Sequence, residues 1–388
     1  MPLKVGRGSE APPFIVMDVI AAANARAAAL APGDPRVIRM EVGQPSTGAP
    51  QGAVAAAIAA MRSGATLGYT EAFGMRPLRE RIAALYAERY GVAVDAARIA
   101  VTVGASGALP LAFLAAFDRG DRVALASPFY PPYVNILTAL GLEPVILEAG
   151  EASRFQPTVA MLDRLDPRPE GLIVASPSNP AGTMLSRDEL AALAAWCDRI
   201  GVRLISDEIY HGLTYGAAAS TAASVSATAI VINSFSKYWS MTGWRIGWMV
   251  LPEDLIRPVE RLAQNLFISA PGVSQVAALA AMDCGAELDA HVARYAANRA
   301  LLLEALPKAG LSRLAPAEGA FYLYADIGHL ANDSAAFCRA MLAEIGVAAT
   351  PGVDFDRTRG ARTIRFSFCG ATEDMAEAAQ RITRWLGR

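Results

Sequence analysis

Ala229-Ile230-Val231-Ile232-Asn233-Ser234-Phe235-Ser236-Lys237-Tyr238-Trp239-Ser240-Met241-Thr242-Gly243-Trp244-Arg245 joins a short β-branched run to a polar turn holding a lysine, hydroxyls and an arginine. A brief apolar run bounded by polar residues reads as a strand buried on both faces. Hydroxyls with a cation suit a phosphate, and an amine held beside them can condense with a carbonyl. Taken by itself, the stretch also fits a helix start capped by its serines, with Lys237 and Arg245 in solvent. The surrounding sequence decides between the two.

Outward from this stretch, short β-branched runs alternate with alanine- and leucine-rich segments of helical spacing. The strand candidates are Ile99 to Val103, Arg122 to Ala126, Pro144 to Leu147, Gly171 to Ala175, Arg203 to Ser206, Ala229 to Asn233 and Ile246 to Leu251. Ala108 to Phe117 and Ser186 to Ile200 read as helices between them, the second opened by the capping box Ser186-Arg187-Asp188-Glu189. Such alternation predicts a three-layer α/β unit, a mostly parallel seven-stranded sheet covered on both faces. After about residue 285 the pattern changes. A long helix (Leu288 to Leu306), strands near Phe321 to Ala325 and Thr363 to Phe368, and helices at Ser334 to Ile345 and Thr372 to Leu386 predict a smaller α+β unit. The expected division is a large unit over 46–284 and a small one made of 1–45 and 285–388.

Polar clusters follow the strand ends repeatedly: Gly104-Ala105-Ser106-Gly107, Ser176-Pro177-Ser178-Asn179-Pro180, Asp207-Glu208-Ile209-Tyr210 and Ser234-Phe235-Ser236-Lys237. In an open parallel sheet the carboxyl ends of the strands share one edge, where ligands bind. The clusters therefore converge on one site, and Lys237 belongs to it.

The remaining composition mostly excludes. With 388 residues and a formal charge of -2, neither nucleic acid nor an anionic membrane is an expected partner. The mean hydropathy of +0.29 reflects alanine, and no apolar run has the roughly 20 residues of a spanning helix. The stretch Met1 to Gly8 has no apolar signal core. Cys197, Cys284, Cys338 and Cys369 lie far apart, without Cys-x-x-Cys or paired histidines. They read as buried reduced thiols of a cytoplasmic protein, and no metal site is expected. His211, His291 and His329 sit in no motif and are expected to be structural or on the surface.

Gly104-Ala105-Ser106-Gly107-Ala108-Leu109, Pro128-Phe129-Tyr130-Pro131, Ser178-Asn179-Pro180-Ala181-Gly182, Asp207-Glu208-Ile209-Tyr210, Ser234-Phe235-Ser236-Lys237 and Arg365-Phe366-Ser367 carry a resemblance. In this order and at these intervals they resemble the class I/II aminotransferase family, the fold-type I pyridoxal-phosphate enzymes of aspartate aminotransferase type, over nearly the whole chain. The cofactor so implied, pyridoxal 5'-phosphate, presents a phosphate and an aldehyde a few bonds apart. By that resemblance Lys237 would hold it as a Schiff base and then carry the substrate proton, which requires a neutral amine. Asp207 would pair with the ring nitrogen, and Tyr210 and Asn179 would donate to the ring oxygen. Ala105 and Ser106 at a helix N-terminus, with Ser234, Ser236 and Arg245, would cradle the phosphate. Tyr130 would stack on the ring. Tyr69 would reach the phosphate of the neighbouring subunit, which implies a homodimer with shared sites. Arg365 would clamp the substrate α-carboxylate, with Gly43 and Asn179 close to the same group.

The sequence departs from the family pattern at Ala181, where a threonine is usual, which removes a hydroxyl and keeps the asparagine. Relatives specialised for dicarboxylates carry an arginine where this chain has Asn265, or a lysine where it has Ser106. Both absences point to a neutral, apolar or aromatic substrate side chain, with Phe14, Ile15 and Val16 lining its pocket if the N-terminal segment folds over the site. The expected reaction is ping-pong transfer between an amino acid and a 2-oxo acid. A carbon–sulfur β-lyase shares the same lysine, aspartate and arginine. An effector-sensing regulator would need an added DNA-binding module. A nucleotide-binding dehydrogenase would need a Gly-x-Gly-x-x-Gly after the first strand, which is absent.

Overall fold

Strand residues that alternate between two apolar clusters fix the architecture. In the strand Ile230–Ser234, Val231 packs into one cluster while Ile230 and Ile232 pack into the other. A strand apolar on both faces must lie between two helical layers, and the computed structural model, which describes residues 3–387, has that arrangement. Met1, Pro2 and Arg388, which belong to the expected terminal parts, lie outside the described residues.

In chain order, α1 (Ile15–Ala28) and β1 (Ile38–Arg39) precede α2 (Gln51–Arg62) and α3 (Arg76–Tyr90). Then come β2 (Ile99–Thr102), α4 (Gly104–Ala116), β3 (Arg122–Ser127), α5 (Pro131–Leu140), β4 (Glu143–Glu148) and α6 (Val159–Leu162). Next are β5 (Gly171–Ala175), α7 (Arg187–Ile200), β6 (Arg203–Asp207), β7 (Ile230–Ser234), β8 (Gly247–Val250), α8 (Glu253–Leu266) and α9 (Gly272–Ala281). The chain ends with α10 (Gly285–Lys308), β9 (Tyr322–Asp326), α11 (Ser334–Ile345), β10 (Val347–Ala348), β11 (Thr350–Pro351), β12 (Thr363–Ser367) and α12 (Thr372–Leu386).

The seven-stranded sheet has the order β2-β8-β7-β6-β5-β3-β4. Its neighbours are parallel except where β8 pairs antiparallel with β2 and β7. Every expected strand of the large unit lies in it. Apolar residues of α4, α5 and α8 cover one face, and those of α3, α7 and α9 the other. The capping box at Ser186 is present: Glu189 N–H donates to Ser186 Oγ at 3.2 Å and Ser186 N–H to Glu189 Oε2 at 2.8 Å. A cap of this kind stabilises its helix by about 1 kcal/mol.

β11, β12 and β9 form a separate antiparallel sheet beside α10, α11 and α12. β1 pairs in parallel with β10, tying the N-terminal segment to the C-terminal part of the chain. Two differences from the sequence reading stand out. α4 begins at Gly104, so the glycine-rich stretch is the first turn of the helix and not a loop before it. β1, β10 and β11 have two residues each, too few to show a period of two. No helix among the described residues is long and apolar enough to cross a membrane. The cysteines are free, with Cys284 only half-buried.

Candidate active site

The sheet register brings the polar clusters together. Asp207, the last residue of β6, stands opposite Ala175 of β5 and Ile232 of β7. The chain leaving β7 turns sharply because Phe235 wedges between Trp239 and Trp248, with ring centroids 4.9 and 5.1 Å away. That aromatic anchor aims Lys237 into a cavity of about 660 Å3 at the sheet edge. Gly43, Ala105, Ser106, Tyr130, Asn179, Asp207, Tyr210, Ser236, Lys237, Arg245 and Arg365 all line it.

Lys237 Nζ donates to the Gly43 carbonyl at 2.6 Å and lies 5.8 Å from the centre of the Tyr210 ring. Burial lowers its pKa to about 8, with the positive charges of Arg365 and Arg245 adding and Cys369 and Asp207 opposing. A substantial neutral fraction near physiological pH follows, which proton transfer needs.

Asp207 is buried, and burial pushes its carboxyl pKa up. The Tyr133 hydroxyl, which donates to Oδ2, and the Ile209 N–H, which donates to Oδ1 at 3.1 Å, oppose that rise. Among the described residues it has no salt bridge, an arrangement that suits a protonated ring nitrogen brought by a ligand.

Arg365 sits in β12 with 2% of its surface exposed, its guanidinium between the rings of Tyr322 and Phe355 at 4.4 and 4.7 Å. Nη1 donates to Asn179 Oδ1 at 2.8 Å, and Nη2 to the Glu41 carbonyl at 2.6 Å and to Thr350 Oγ1 at 3.1 Å. Nε is buried without a partner. A rigid guanidinium with a donor left over is what an incoming carboxylate satisfies.

Ala105 and Ser106 lie in the first turn of α4, where free N–H groups favour an anion. Arg245, itself in the left-handed region at φ 52°, donates from Nη2 to Ser106 Oγ at 3.4 Å. A Cβ on Gly104 would come within 2.5 Å of that Nη2, so the glycine lets the arginine reach the helix end. Backbone amides, a hydroxyl and a cation around one hollow fit a phosphate.

Two expected site residues stand apart from this cavity. Ser234 is fully buried behind Ser236; its Oγ lies 3.0 Å from the Ile246 carbonyl and accepts from Ser236 N–H at 3.1 Å. It does not line the hollow itself; its Oγ lies 2.9 Å from the Oγ of Ser236, which does. Tyr69 is 83% exposed and lies outside the cavity of its own chain. Of the N-terminal residues, Phe14 and Val16 line the cavity, joined by Met17 and Ile20, whereas Ile15 does not.

The sequence reading missed Tyr133 and Tyr322. Tyr133 follows Tyr130 by one helical turn in α5 and secures Asp207. The Tyr322 hydroxyl lies 2.7 Å from that of Tyr210. Tyr130 stacks edge-on with Tyr133 and with Phe14, at 5.4 and 5.7 Å. His211 is structural as expected: Nε2–H donates to the Ser176 carbonyl at 3.0 Å, Tyr90 donates to Nδ1, and burial lowers its pKa to about 3. A larger open groove of about 930 Å3 between α1, α11 and α12 carries Arg26, Arg339, Arg381 and Arg384. Arg26 and Arg384 lie in the last turns of α1 and α12, and Arg381 donates to the Ile345 carbonyl at the end of α11 at 2.9 Å, positions where a cation balances the helix dipole.

Residues 35–382 match the model of the family described as aminotransferase class I and II. The chain belongs to this family. It is 50% identical over 379 residues to the valine–pyruvate aminotransferase of Mycobacterium tuberculosis, covering 97% of this chain and 96% of that one. It is 33% identical to the (5-formylfuran-3-yl)methyl phosphate transaminase of Methanocaldococcus jannaschii, covering 97% of each. The crystal structure of an aminotransferase from Mycobacterium tuberculosis superposes with a TM-score of 0.96 at 49% identity and full coverage of both chains. The protein is an aminotransferase of the α/β fold expected from its strand pattern. Enzymes of this family depend on pyridoxal phosphate.

Proposed function

We propose that this aminotransferase binds pyridoxal 5'-phosphate in the cavity beside Lys237 and moves amino groups between apolar amino acids and 2-oxo acids in a ping-pong cycle. The observation that carries the reading is the convergence in one cavity of a lysine with lowered pKa, an ion-pair-free buried carboxylate and an incompletely bonded arginine. Bound there, the cofactor would supply a ring that accepts the electron pair left when the substrate Cα loses its proton.

The residues would divide the remaining tasks. Lys237 Nζ would hold the cofactor covalently, then take the proton from Cα and return it to the carbon that received the amino group. Asp207 would hold a proton on the ring nitrogen, and Tyr210 and Asn179 would donate to the ring oxygen. Tyr130 would pack on the ring. The first turn of α4 at Ala105 and Ser106, with Ser236 and Arg245, would hold the phosphate. Arg365 would orient the α-carboxylate, leaving the substrate side chain to face α1.

The side-chain preference rests on charge. The cations lining the cavity are Lys237, Arg245 and Arg365, each with a task already. A second carboxylate would face Phe14, Val16, Met17 and Ile20 instead of a counter-ion. The name of the Mycobacterium tuberculosis relative, valine–pyruvate aminotransferase, agrees with that chemistry. The large cofactor-binding unit would span 46–284, with 1–45 and 285–388 forming the small one. The protein would act as a homodimer in the cytoplasm, Tyr69 of each protomer reaching the other's phosphate. Exposed Tyr69, Leu266 and Ile268 favour a partner surface, and free thiols favour a reducing compartment.

Replacing Lys237 with alanine should abolish transfer and the yellow absorption of the purified enzyme, and a donor screen should rank valine, leucine and alanine above aspartate. Full activity in the variant would overturn the lysine's role, and a strong preference for aspartate would overturn the side-chain reading.

A further inference from the structure

α1 forms part of the cavity wall, yet its first turn is not capped by its own sequence. Phe14 at the N-cap offers no side-chain acceptor. The acceptor comes instead from a segment 339 and 338 positions away: Ile15 N–H donates to Asp354 Oδ1 at 3.0 Å and Val16 N–H to Asp354 Oδ2 at 3.2 Å. Both oxygens of one buried carboxylate are thus spent on the helix start, where negative charge also suits the helix dipole. The far half of α1 is held separately, by Ala23 packed against Leu342 and Ala348.

The residue after Asp354 connects the same segment to the opposite side of the cavity. The Phe355 ring lies 4.7 Å from the Arg365 guanidinium, and its carbonyl accepts from Phe129 N–H at 3.0 Å, just before Tyr130. One dipeptide therefore fixes the α1 wall, the carboxylate clamp and the backbone that carries the ring-stacking tyrosine.

We propose that Asp354 is a positioning residue for substrate specificity, acting through α1: its carboxylate seats the helix so that Val16, Met17 and Ile20 form the surface against which a branched apolar side chain packs. This rests on the reading that the substrate side chain is apolar. A substrate whose side chain stops short of α1 draws little from that wall, whereas leucine or valine depends on it. Loss of Asp354 should therefore act on KM in proportion to side-chain size, and leave cofactor binding alone.

The experiment compares wild type, Asp354→Ala and Asp354→Asn, each saturated with cofactor, using alanine and leucine as donors and following amide hydrogen exchange in α1. Asp354→Ala should raise KM for leucine about tenfold while changing kcat little and KM for alanine less than about twofold. Exchange at residues 15–20 should quicken about tenfold, with the absorption of the bound cofactor unchanged. Asp354→Asn, which keeps one acceptor oxygen, should fall between, and Ile20→Ala should reproduce the leucine defect without loosening the helix. Unchanged exchange in α1, or equal KM increases for alanine and leucine, would overturn the proposal. Should wild type prefer aspartate, the apolar reading fails by itself, and the exchange data alone decide whether Asp354 seats α1.

Discussion

Lys237 and Gly43 lie 194 positions apart in the chain and meet where the lysine amine donates to the glycine carbonyl at 2.6 Å. The contact spans the junction between the large sheet and the N-terminal segment, and it holds the amine in a partly desolvated position. Burial lowers the lysine pKa to about 8 from its ordinary 10.5. The sign for stability follows. Above about 10.5 the amine is neutral in both states and contributes nothing. As pH falls towards about 8 the unfolded chain gains the proton first, and the cofactor-free protein loses stability through that window. Selectively methylated Lys237 in the cofactor-free protein should titrate near 8 by carbon NMR, and a midpoint above 10 would contradict its desolvation.

Arg365 should resist conservative replacement. Its guanidinium lies between the rings of Tyr322 and Phe355 while bonding Asn179, Glu41 and Thr350. An ammonium cannot reproduce that fork. Arg365→Lys should lower kcat/KM about 10- to 150-fold, the worth of one or two charged hydrogen bonds, with cofactor affinity unchanged. Steady-state kinetics beside a cofactor titration separates the two effects.

Tyr133→Phe removes the hydroxyl that opposes the burial-driven rise in the Asp207 pKa. The carboxyl pKa should then rise further, so that Asp207 takes up a proton at higher pH than in wild type. The acidic limb of the kcat/KM profile should shift to higher pH, and cofactor should dissociate more readily below neutrality. A profile that falls in amplitude without moving would mean that Tyr133 only packs.

How much of this was legible from the sequence depended on whether the signal was local. The strands of the large sheet were, because residues such as Ile230, Val231 and Ile232 are apolar on both faces. α11 was, because Asp333 caps its start and Gly346, at φ +66°, stops it. α1 was not read as a helix; its alanines leave no clear apolar stripe, and its cap, Asp354, lies in a different part of the chain. Tyr322 was missed for the same kind of reason, since its role depends on Gly43 and Tyr210, which only the fold brings near. Ser234 reads as a ligand hydroxyl in the sequence, which does not tell that it is fully buried and separated from the cavity by Ser236.

Gly43→Ala tests that long-range packing. A Cβ at this position would stand 2.3 Å from the Tyr322 hydroxyl, forcing the ring away from both Tyr210 and Arg365. Thermal unfolding should show a loss of about 1–3 kcal/mol. KM for every donor should rise together, because the carboxylate clamp and not the side-chain wall is disturbed. Adding Tyr322→Phe should recover part of the stability by relieving the clash.

Sharing of sites between protomers is open to a complementation test. Tyr69 is exposed in its own chain, whereas Lys237 belongs to the cavity. Suppose Tyr69 completes the other protomer's site. A Lys237→Ala chain paired with a Tyr69→Phe chain would then give one site with both defects and one with neither. Random reassortment of equal amounts should make about half the dimers hybrid, restoring about a quarter of wild-type activity. The parent Lys237→Ala dimer should be inactive, and Tyr69→Phe should bind cofactor about tenfold more weakly through its lost phosphate hydrogen bond. At saturating cofactor every site that holds Lys237 is filled, so the mixture gives the average of the two parents whether or not sites are shared. The mixture is therefore measured at a cofactor concentration that leaves the Tyr69→Phe parent mostly empty: a hybrid native site would then be filled and active, whereas a complete site in each protomer would leave the mixture at the low average of the two parents.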